Sequence, residues 1–461
     1  VDRQILSWRL TMVVINAQLS TGLPGLDRAI KGIIPGDNVV WRINNIDDYL
    51  AFVRPYCESA RIQQRRLVYF RFAKHKQLLA EDSGAEIHHV RPEAGFENFI
   101  TEIHQVIKNA GRGAFFVFDC LSELAVEWYS DQMLGNFFML TCPYLYDLET
   151  IAYFALLRNY HSSHAVSAIA ETTQLFIDVY NHDDKIFVRP LKVQQRHSPM
   201  MFMFHVWEGN EFLPVSNSIT ISEILASVPW TGVESASPRL NIWNRTFLQA
   251  ERLHQAEQAG EAGPGKSREV FRRLLRMIVS RDERIFRLAE QYLNLGELLA
   301  IGKRMIGTGL IGGKSAGMLI ARAILKKKNP EWNDLLEMHD SFFIGSDLYY
   351  TFLVRNGCWM KRQDKTDRDT LLSVAEIARQ RILTGTFPDY IIKQFADMLD
   401  YFGQSPIIVR SSSLLEDNFG NSFAGKYESV FCANQGSRHK RLEDFMFAIR
   451  TIYASTISEE A

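Results

Sequence analysis

Residues 114–119 read AFFVFD, an apolar run that ends in an acidic residue. Such a short continuous run predicts a strand buried on both faces, because a strand covered on both sides needs no polar alternation. Similar runs predict further strands at 38–43, 66–72, 175–179 and 201–207. Helical patterns are predicted between them, at 96–110 and 148–159. This alternation predicts an α/β fold with a mostly parallel sheet and flanking helices. An antiparallel pair, 186–194 with 200–208, is expected to complete it.

Composition limits the function classes. The 461 residues are 46% hydrophobic and 23% charged, which is ordinary for a globular chain of about three domains. Lys and Arg number 52 and Asp and Glu 53, so the net charge of -1 favours no nucleic-acid partner. No apolar run approaches the ~18 residues of a membrane span, and no membrane partner is expected.

Cysteine usage indicates a reduced, cytoplasmic protein without a zinc site, because the five cysteines are dispersed and no CxxC occurs. They are Cys57, Cys120, Cys142, Cys358 and Cys432. The chain starts at Val1 rather than Met and stops inside a helical pattern at Ala461. We therefore expect a longer protein of which this is the front part.

Three blocks are expected: 1–230, a helical linker at 231–302, and 303–461. Helices are predicted at 241–258, 314–328 and from residue 442 onward. A long amphipathic helix is predicted from residue 267 to residue 293, with an arginine-rich face that we interpret as solvated rather than as a nucleic-acid site.

Residues 260–267, GEAGPGKS, match the phosphate-loop pattern G-x-x-x-x-G-K-[ST]. A working loop follows a strand and opens a helix, so that backbone N–H groups point at the phosphates. Here a polar helical pattern precedes the match. An interdomain linker is therefore favoured over a phosphate site.

The first block carries TGLPGLD at 21–27, IPGD at 34–37 before the strand at 38–43, and the strand that ends at Asp119. This series resembles the start of RecA/KaiC-type ATPase domains. After Ile43 the chain reads NNIDD, without the glycines and lysine of a phosphate loop, and Asp47 and Asp48 would repel phosphate. The resemblance implies a degenerate RecA-like domain with a scaffolding or sensing role, favoured over one with residual nucleotide binding.

Residues 161–166, HSSHAV, are similar to the Ser-His-Ala core of a dikinase phosphohistidine segment, but they lack its preceding glycines. We interpret His161 and His164 as structural or surface histidines within a helix.

The third block carries the strongest signal. GGKSAGM at 312–318 opens a predicted helix, where glycines let the backbone approach an anion and Lys314 adds positive charge. A plain helix start with a surface lysine is the alternative. In VRSSSLLED at 409–417, Arg410 ends a predicted buried strand at 406–410 and can contact phosphate through paired donors. A buried ion pair with Asp417 is its alternative.

These two segments and the SFAGK loop at 422–426 resemble, in order, the ATP-binding domain of pyruvate phosphate dikinase and phosphoenolpyruvate synthase, an ATP-grasp-like fold, over 303–461. Ser315 replaces the family's usual Gly, and Lys426 its usual Gln. The resemblance implies an ATP-phosphate site made by these residues: Gly312, Gly313, Lys314, Arg410, Ser411, Ser412 and Gly425.

The resemblance further implies an ATP-dependent phosphotransferase that acts through a phosphohistidine domain toward pyruvate, phosphoenolpyruvate or a related acceptor. The expected partners are the nucleotide and the downstream phosphohistidine and pyruvate-binding domains of the same longer chain. Mg2+ is an expected cofactor, with ligands beyond Ala461, and no catalytic residue or metal ligand is assigned here. The alternative is a non-catalytic nucleotide sensor or scaffold that is complete as given.

Overall fold

The computed structural model describes residues 19–228, 241–261, 264–337, 340–359, 368–413 and 427–457. The chain divides into two compact units. The N-terminal unit comprises residues 1–127 and 137–239, and the C-terminal unit comprises residues 128–136 and 240–461. Segment 128–136 therefore belongs to the C-terminal unit, although the chain on either side of it belongs to the other.

The described part of the N-terminal unit is built on a nine-stranded sheet with the order β3-β2-β4-β5-β1-β6-β7-β8-β9. Strands β1 to β6 are parallel, and β7 to β9 continue the sheet antiparallel. This confirms the predicted α/β fold with a mostly parallel sheet. The strands are β1 (Asn38–Ile43), β2 (Leu67–Arg71), β3 (Glu86–His89), β4 (Phe115–Cys120), β5 (Ile151–Leu157), β6 (Leu175–His182), β7 (Lys185–Val193), β8 (His205–Glu208) and β9 (Glu211–Pro214).

Helices pack against this sheet and bury large aromatic side chains. Trp41 of the central strand β1 stacks on Phe52 with ring centroids 4.1 Å apart, and Tyr153 of β5 stacks on Tyr56 at 3.9 Å. Each fully buried ring of this size contributes on the order of 2–3 kcal/mol. The helices are α1 (Pro24–Ile30), α2 (Ile46–Ile62), α3 (Phe96–Ala110), α4 (Ser122–Trp128), α5 (Asp131–Asp147), α6 (Ser163–Thr172) and α7 (Ser218–Ser227), with short 3-10 turns at Glu81–Ser83 and Pro92–Ala94.

The predicted helix at 148–159 is wrong. Helix α5 ends at Asp147, Glu149 takes a left-handed φ of 53°, and the next seven residues, IAYFALL, form β5 in the middle of the sheet. Because β5 is covered on both faces, its sequence shows no alternation, and a continuous apolar run alone does not separate a buried strand from a buried helix.

The predicted strand at 201–207 is also too long. Phe202 has a φ of 64°, so the chain turns there and β8 begins only at His205. The expected antiparallel pairing is confirmed over a shorter length, because Phe187 and Val188 of β7 pair with Val206 and His205.

In the residues that the structure describes, the C-terminal unit is mainly helical around two short sheets, a parallel pair β10–β11 and an antiparallel pair β12–β13. Its helices are α8 (Ile242–Gln258), α9 (Pro264–Ile278), α10 (Glu283–Tyr292), α11 (Leu295–Gly302), α12 (Gly313–Lys328), α13 (Trp332–Leu335), α14 (Ser346–Arg355), α15 (Arg368–Thr384), α16 (Asp389–Phe402) and α17 (Arg438–Ser455). Its strands are β10 (Met305–Ile306), β11 (Phe343–Ile344), β12 (Ile407–Arg410) and β13 (Ser429–Cys432).

Within the described part of this unit, two hydrophobic cores join the helices. One core joins α8 to α11 with α12, through buried residues such as Leu274, Leu298 and Ile320. The other joins α14, α16 and α17, through residues such as Phe352 and Phe395. Helix α12 thus begins at the candidate phosphate segment and is anchored along its length by the helices that precede it.

The predicted helices at 241–258 and 314–328 are confirmed, whereas the long helix expected from 267 to 293 divides into α9 and α10. The break is at Asp282, whose carboxylate accepts hydrogen bonds from the N–H groups of Arg284 and Ile285 and so starts a new helix. The five cysteines are buried free thiols. Among the helices the structure describes, none is both long and apolar enough to cross a bilayer.

Candidate functional site

The glycine-rich loop before α12 makes a close backbone contact with the segment after β12. Gly312 has a φ of 81°, a left-handed conformation that favours glycine. A Cβ atom at Gly312 would lie 1.4 Å from the carbonyl oxygen of Ser412. Glycine is therefore required at this position by both its conformation and its neighbour.

Hydrogen bonds join the two segments at the start of α12. The N–H of Gly313 donates to the carbonyl oxygen of Ser413 at 3.0 Å, and the N–H of Ser315 donates to Oγ of Ser412 at 3.0 Å. Helix α12 is thus capped by residues about a hundred positions away in sequence rather than by its own N-cap residue, Gly312. The fold brings together the two motifs that the sequence separates.

The charged residues of the two motifs lie at the ends of their elements. Lys314 is half-buried in the first turn of α12, and Arg410 is the last residue of β12 and is exposed. Arg410 pairs with Ser429 in the antiparallel register of β13, and Ser411 is buried. The expectation that the strand at 406–410 is buried is wrong, because β12 alternates half-buried and exposed residues, with Ile408 45% exposed.

The third motif lies outside the described residues. Segment 414–426 contains Gly425, Lys426 and Asp417, so neither the predicted phosphate-covering loop nor the alternative Arg410–Asp417 pair is tested.

The buried carboxylate of Asp347 supports the glycine-rich loop before α12, residues 307–312. Oγ1 of Thr308 donates to Asp347 at 2.7 Å, the N–H of Asp347 donates to the carbonyl oxygen of Thr308, and the N–H of Leu310 donates to Oγ of Ser346 at 3.0 Å. Burial raises the pKa of Asp347, and hydrogen bonds from Ser130 and Thr308 oppose that rise. Ser346 and Asp347 are not among the residues predicted for the site, although an acidic residue in the first turn, here Asp347 of α14, is a recognisable signal of a helix start.

The corresponding strand-to-helix junction in the N-terminal unit is closed by its own side chains. After β1, the side chain of Asn45 accepts hydrogen bonds from the N–H groups of Asp47 and Asp48, and Asp48 accepts one from the N–H of Asn45. This capping box satisfies donors at the start of α2. The two carboxylates there also add negative charge, as the sequence predicted.

A cluster of Arg42, Arg158 and Asp178 lies beside this junction, near the carboxyl ends of the central strands β1 and β5. Arg42 donates to Asp178 through two nitrogens, at 2.5 and 2.7 Å, and Arg158 donates to Asn44 at 3.0 Å and to Tyr180 at 3.0 Å. Burial acts to raise the pKa of Asp178, but the hydrogen bonds and charges of Arg42 and Arg158 outweigh it and leave that pKa below its usual value. Both arginines are thus already engaged by one carboxylate, that of Asp178.

Asp119, at the end of β4, is fully buried and saturated with donors. Arg71 donates to its carboxylate at 2.7 Å, the N–H groups of Phe72 and Ala73 donate at 2.9 and 2.8 Å, and the hydroxyl of Tyr69 also donates to it. A carboxylate with four protein donors has little capacity left for a metal ion or a water.

The phosphate-loop match at 260–267 follows α8 and runs into the first turn of α9, which begins at Pro264. In the described residues on either side of the match, 241–261 and 264–278, no strand feeds the loop. The structure therefore lacks the strand that a working loop follows.

The two histidines of segment 161–166 do not both lie within a helix, contrary to the expectation. His164 lies in the first turn of α6, whereas His161 precedes the N-cap residue Ser162 and is not helical. His161 is buried, with its Nε2 2.7 Å from Oγ of Ser122.

Comparison with known families bears on the C-terminal unit, where the two motifs meet. Residues 308–461 match the family model of the pyruvate phosphate dikinase AMP/ATP-binding domain. The match covers about a third of the chain and includes the glycine-rich loop, the Arg410 segment and Gly425. The resemblance predicted for this block is confirmed. A search of curated proteins gives no match.

Residues 308–461 are thus similar to an AMP/ATP-binding domain. The contact of Gly312 with Ser412 lies inside that region. Among the residues the structure describes, no group of three or more His, Cys, Asp or Glu side chains is placed to hold a metal ion. We therefore assign no residue to Mg2+.

Proposed function

We propose that the C-terminal unit binds ATP in an ATP-grasp-like domain of a dikinase-type phosphotransferase. The phosphates would bind where Gly312–Ser315 meets Arg410–Ser413, and the observation that carries this is the pair of hydrogen bonds between the two segments. The acceptor would be pyruvate, phosphoenolpyruvate or a related molecule, reached through a phosphohistidine domain.

The chemistry of the two segments suits a phosphate chain. Lys314 supplies a point charge, and Arg410 supplies a planar fork of donors that matches phosphate oxygens. Oγ of Ser412 accepts from the N–H of Ser315 and retains its own proton, which it can donate to a phosphate oxygen. This hydroxyl would link the phosphate to the N-terminus of α12, which is the positive end of the helix dipole.

Binding and positioning supply most of the catalysis in phosphoryl transfer, because little covalent chemistry falls to the protein. In this proposal Gly312 and Gly313 let the backbone approach the phosphates, and Gly425 belongs to the loop that covers them. Asp347 and Ser346 would hold the loop at 307–312 in place by accepting hydrogen bonds from Thr308 and Leu310.

For the N-terminal unit we propose a degenerate RecA/KaiC-type domain with a scaffolding or sensing role. The saturated carboxylate of Asp119, the capping box of α2 and the neutralised Arg42–Asp178 pair support the loss of its nucleotide site. These groups occupy the sheet edge at which nucleotides bind in open α/β folds.

The test is ATP titration of the full chain by calorimetry with single variants Lys314→Ala and Arg410→Ala. Each should weaken ATP binding by about 10-fold or more, because a charge-assisted hydrogen bond contributes about 1.5–3 kcal/mol. The matched control is Lys328→Ala, an exposed lysine at the far end of the same helix, which should not change the affinity. Unchanged affinity in both site variants would refute the site.

A further inference from the structure

A second cationic feature lies in the C-terminal unit, outside the residues matched to the dikinase family. A groove of about 450 Å³ is lined by Arg268, Arg272, Arg273 and Arg276 of α9, together with Glu269 and Tyr129. This volume falls within the ~300–1,000 Å³ range of small-molecule pockets.

Helix geometry places the arginines on one side. Arg268, Arg272 and Arg276 are spaced four residues apart and so form a stripe along α9. Leu274 and Ile278 are buried on the opposite side, in the core shared with α12. Because the apolar side of α9 packs into the core, the arginine stripe on its opposite side faces outward.

The arginines are only weakly neutralised. Arg268 and Arg272 share one carboxylate, Glu290, at 3.5 and 3.3 Å, and Arg276 lies 3.5 Å from Glu283. Arg273 contacts Glu269 at 3.3 Å. Long ion pairs between exposed or half-buried side chains contribute little, so four guanidinium groups face three carboxylates that an incoming anion can displace.

Aromatic rings hold part of this cluster in place. The guanidinium carbons of Arg272 and Arg276 lie 5.4 and 5.0 Å from the ring centroid of Phe286. Stacking of this kind restricts the guanidinium planes and lowers the entropy lost when they bind an anion. Tyr129, with a left-handed φ of 56°, adds a half-buried ring to the wall.

We propose that this groove binds a small molecule carrying two or more linked phosphate groups. Several guanidinium forks along one wall match a chain of phosphate oxygens better than they match a single carboxylate. A polynucleotide is disfavoured, because the net charge of -1 provides no general attraction and the groove is of small-molecule size. The site is separate from the nucleotide site proposed above and does not depend on it.

The probe is inorganic tripolyphosphate, titrated into the full chain by calorimetry at low salt. The double variant Arg272→Gln/Arg276→Gln should weaken the binding by about 10-fold or more. Arg61→Gln/Arg379→Gln removes the same charge from exposed ion pairs elsewhere and should leave the affinity unchanged. Lys314→Ala/Arg410→Ala should also leave the groove's binding in place, which separates this proposal from the proposed ATP site.

Two measurements keep the result interpretable. Thermal unfolding of each variant checks that the fold is retained, and Arg272→Lys/Arg276→Lys, which keeps the charge without the fork, should show an intermediate affinity. Absence of tripolyphosphate binding to the parent, equal weakening in the charge-matched control, or loss only in Lys314→Ala/Arg410→Ala would overturn the proposal. Tighter binding of a single-stranded oligonucleotide at the same arginines would also overturn it.

Discussion

The starts of α2 and α12 are capped in different ways. Each helix follows a strand, β1 before α2 and β10 before α12. Helix α2 is closed by its own residues, Asn45 and Asp48, which use its donors and bring negative charge. Helix α12 starts at glycines and takes its cap from Ser412, beside Arg410. An anion site thus depends on which residues cap the helix as well as on the helix start itself.

The largest expected effect is on stability, and it tests whether the N-terminal unit has lost its nucleotide site. Asp119→Ala should lower the free energy of unfolding of the N-terminal unit by about 3–5 kcal/mol, because it leaves the partly buried Arg71 without its carboxylate. Chemical denaturation followed by fluorescence measures this. ATP affinity, measured below the unfolding transition, should not change, and a loss of ATP binding would show that this unit retains a nucleotide site.

A second variant tests the contact between the start of α12 and Ser412. Gly312→Ala should cost about 2–4 kcal/mol and abolish ATP binding, because a Cβ atom would collide with the carbonyl oxygen of Ser412 at a left-handed φ. Gly317→Ala in the same helix is the matched control, since a Cβ atom there meets nothing within 4 Å. That control should be neutral or slightly stabilising. Equal behaviour of the two variants in thermal unfolding would contradict the proposed contact.

The smallest expected effect compares the two caps directly. Asn45→Ala and Ser412→Ala should each lower stability by about 1 kcal/mol, the usual contribution of a helix cap. Only Ser412→Ala should also weaken ATP binding, by about 10-fold, because its hydroxyl is proposed to donate to phosphate. Paired calorimetric titrations decide the matter, and a similar ATP affinity in both variants would remove the functional difference between the caps.

Much of the α/β character was predictable from local patterns. The run at 114–119 forms β4, and the amphipathic patterns at 241–258 and 314–328 form helices with nearly the predicted bounds. The run at 148–159 was misassigned, because complete burial of β5 removes the alternation that would identify a strand.

For the candidate site, the sequence determined the residue types: glycines before a helix, Lys314 within its first turn, and Arg410 with hydroxyl residues after a strand. It also determined the absence of a lysine and glycines after β1. Only the tertiary structure decided that Ser412 caps α12, that Asp347 supports the loop and that Asp119 is saturated. The physical reason is that local propensity acts over a few residues, whereas these contacts join segments about 40 to 100 residues apart and exist only after the chain has packed.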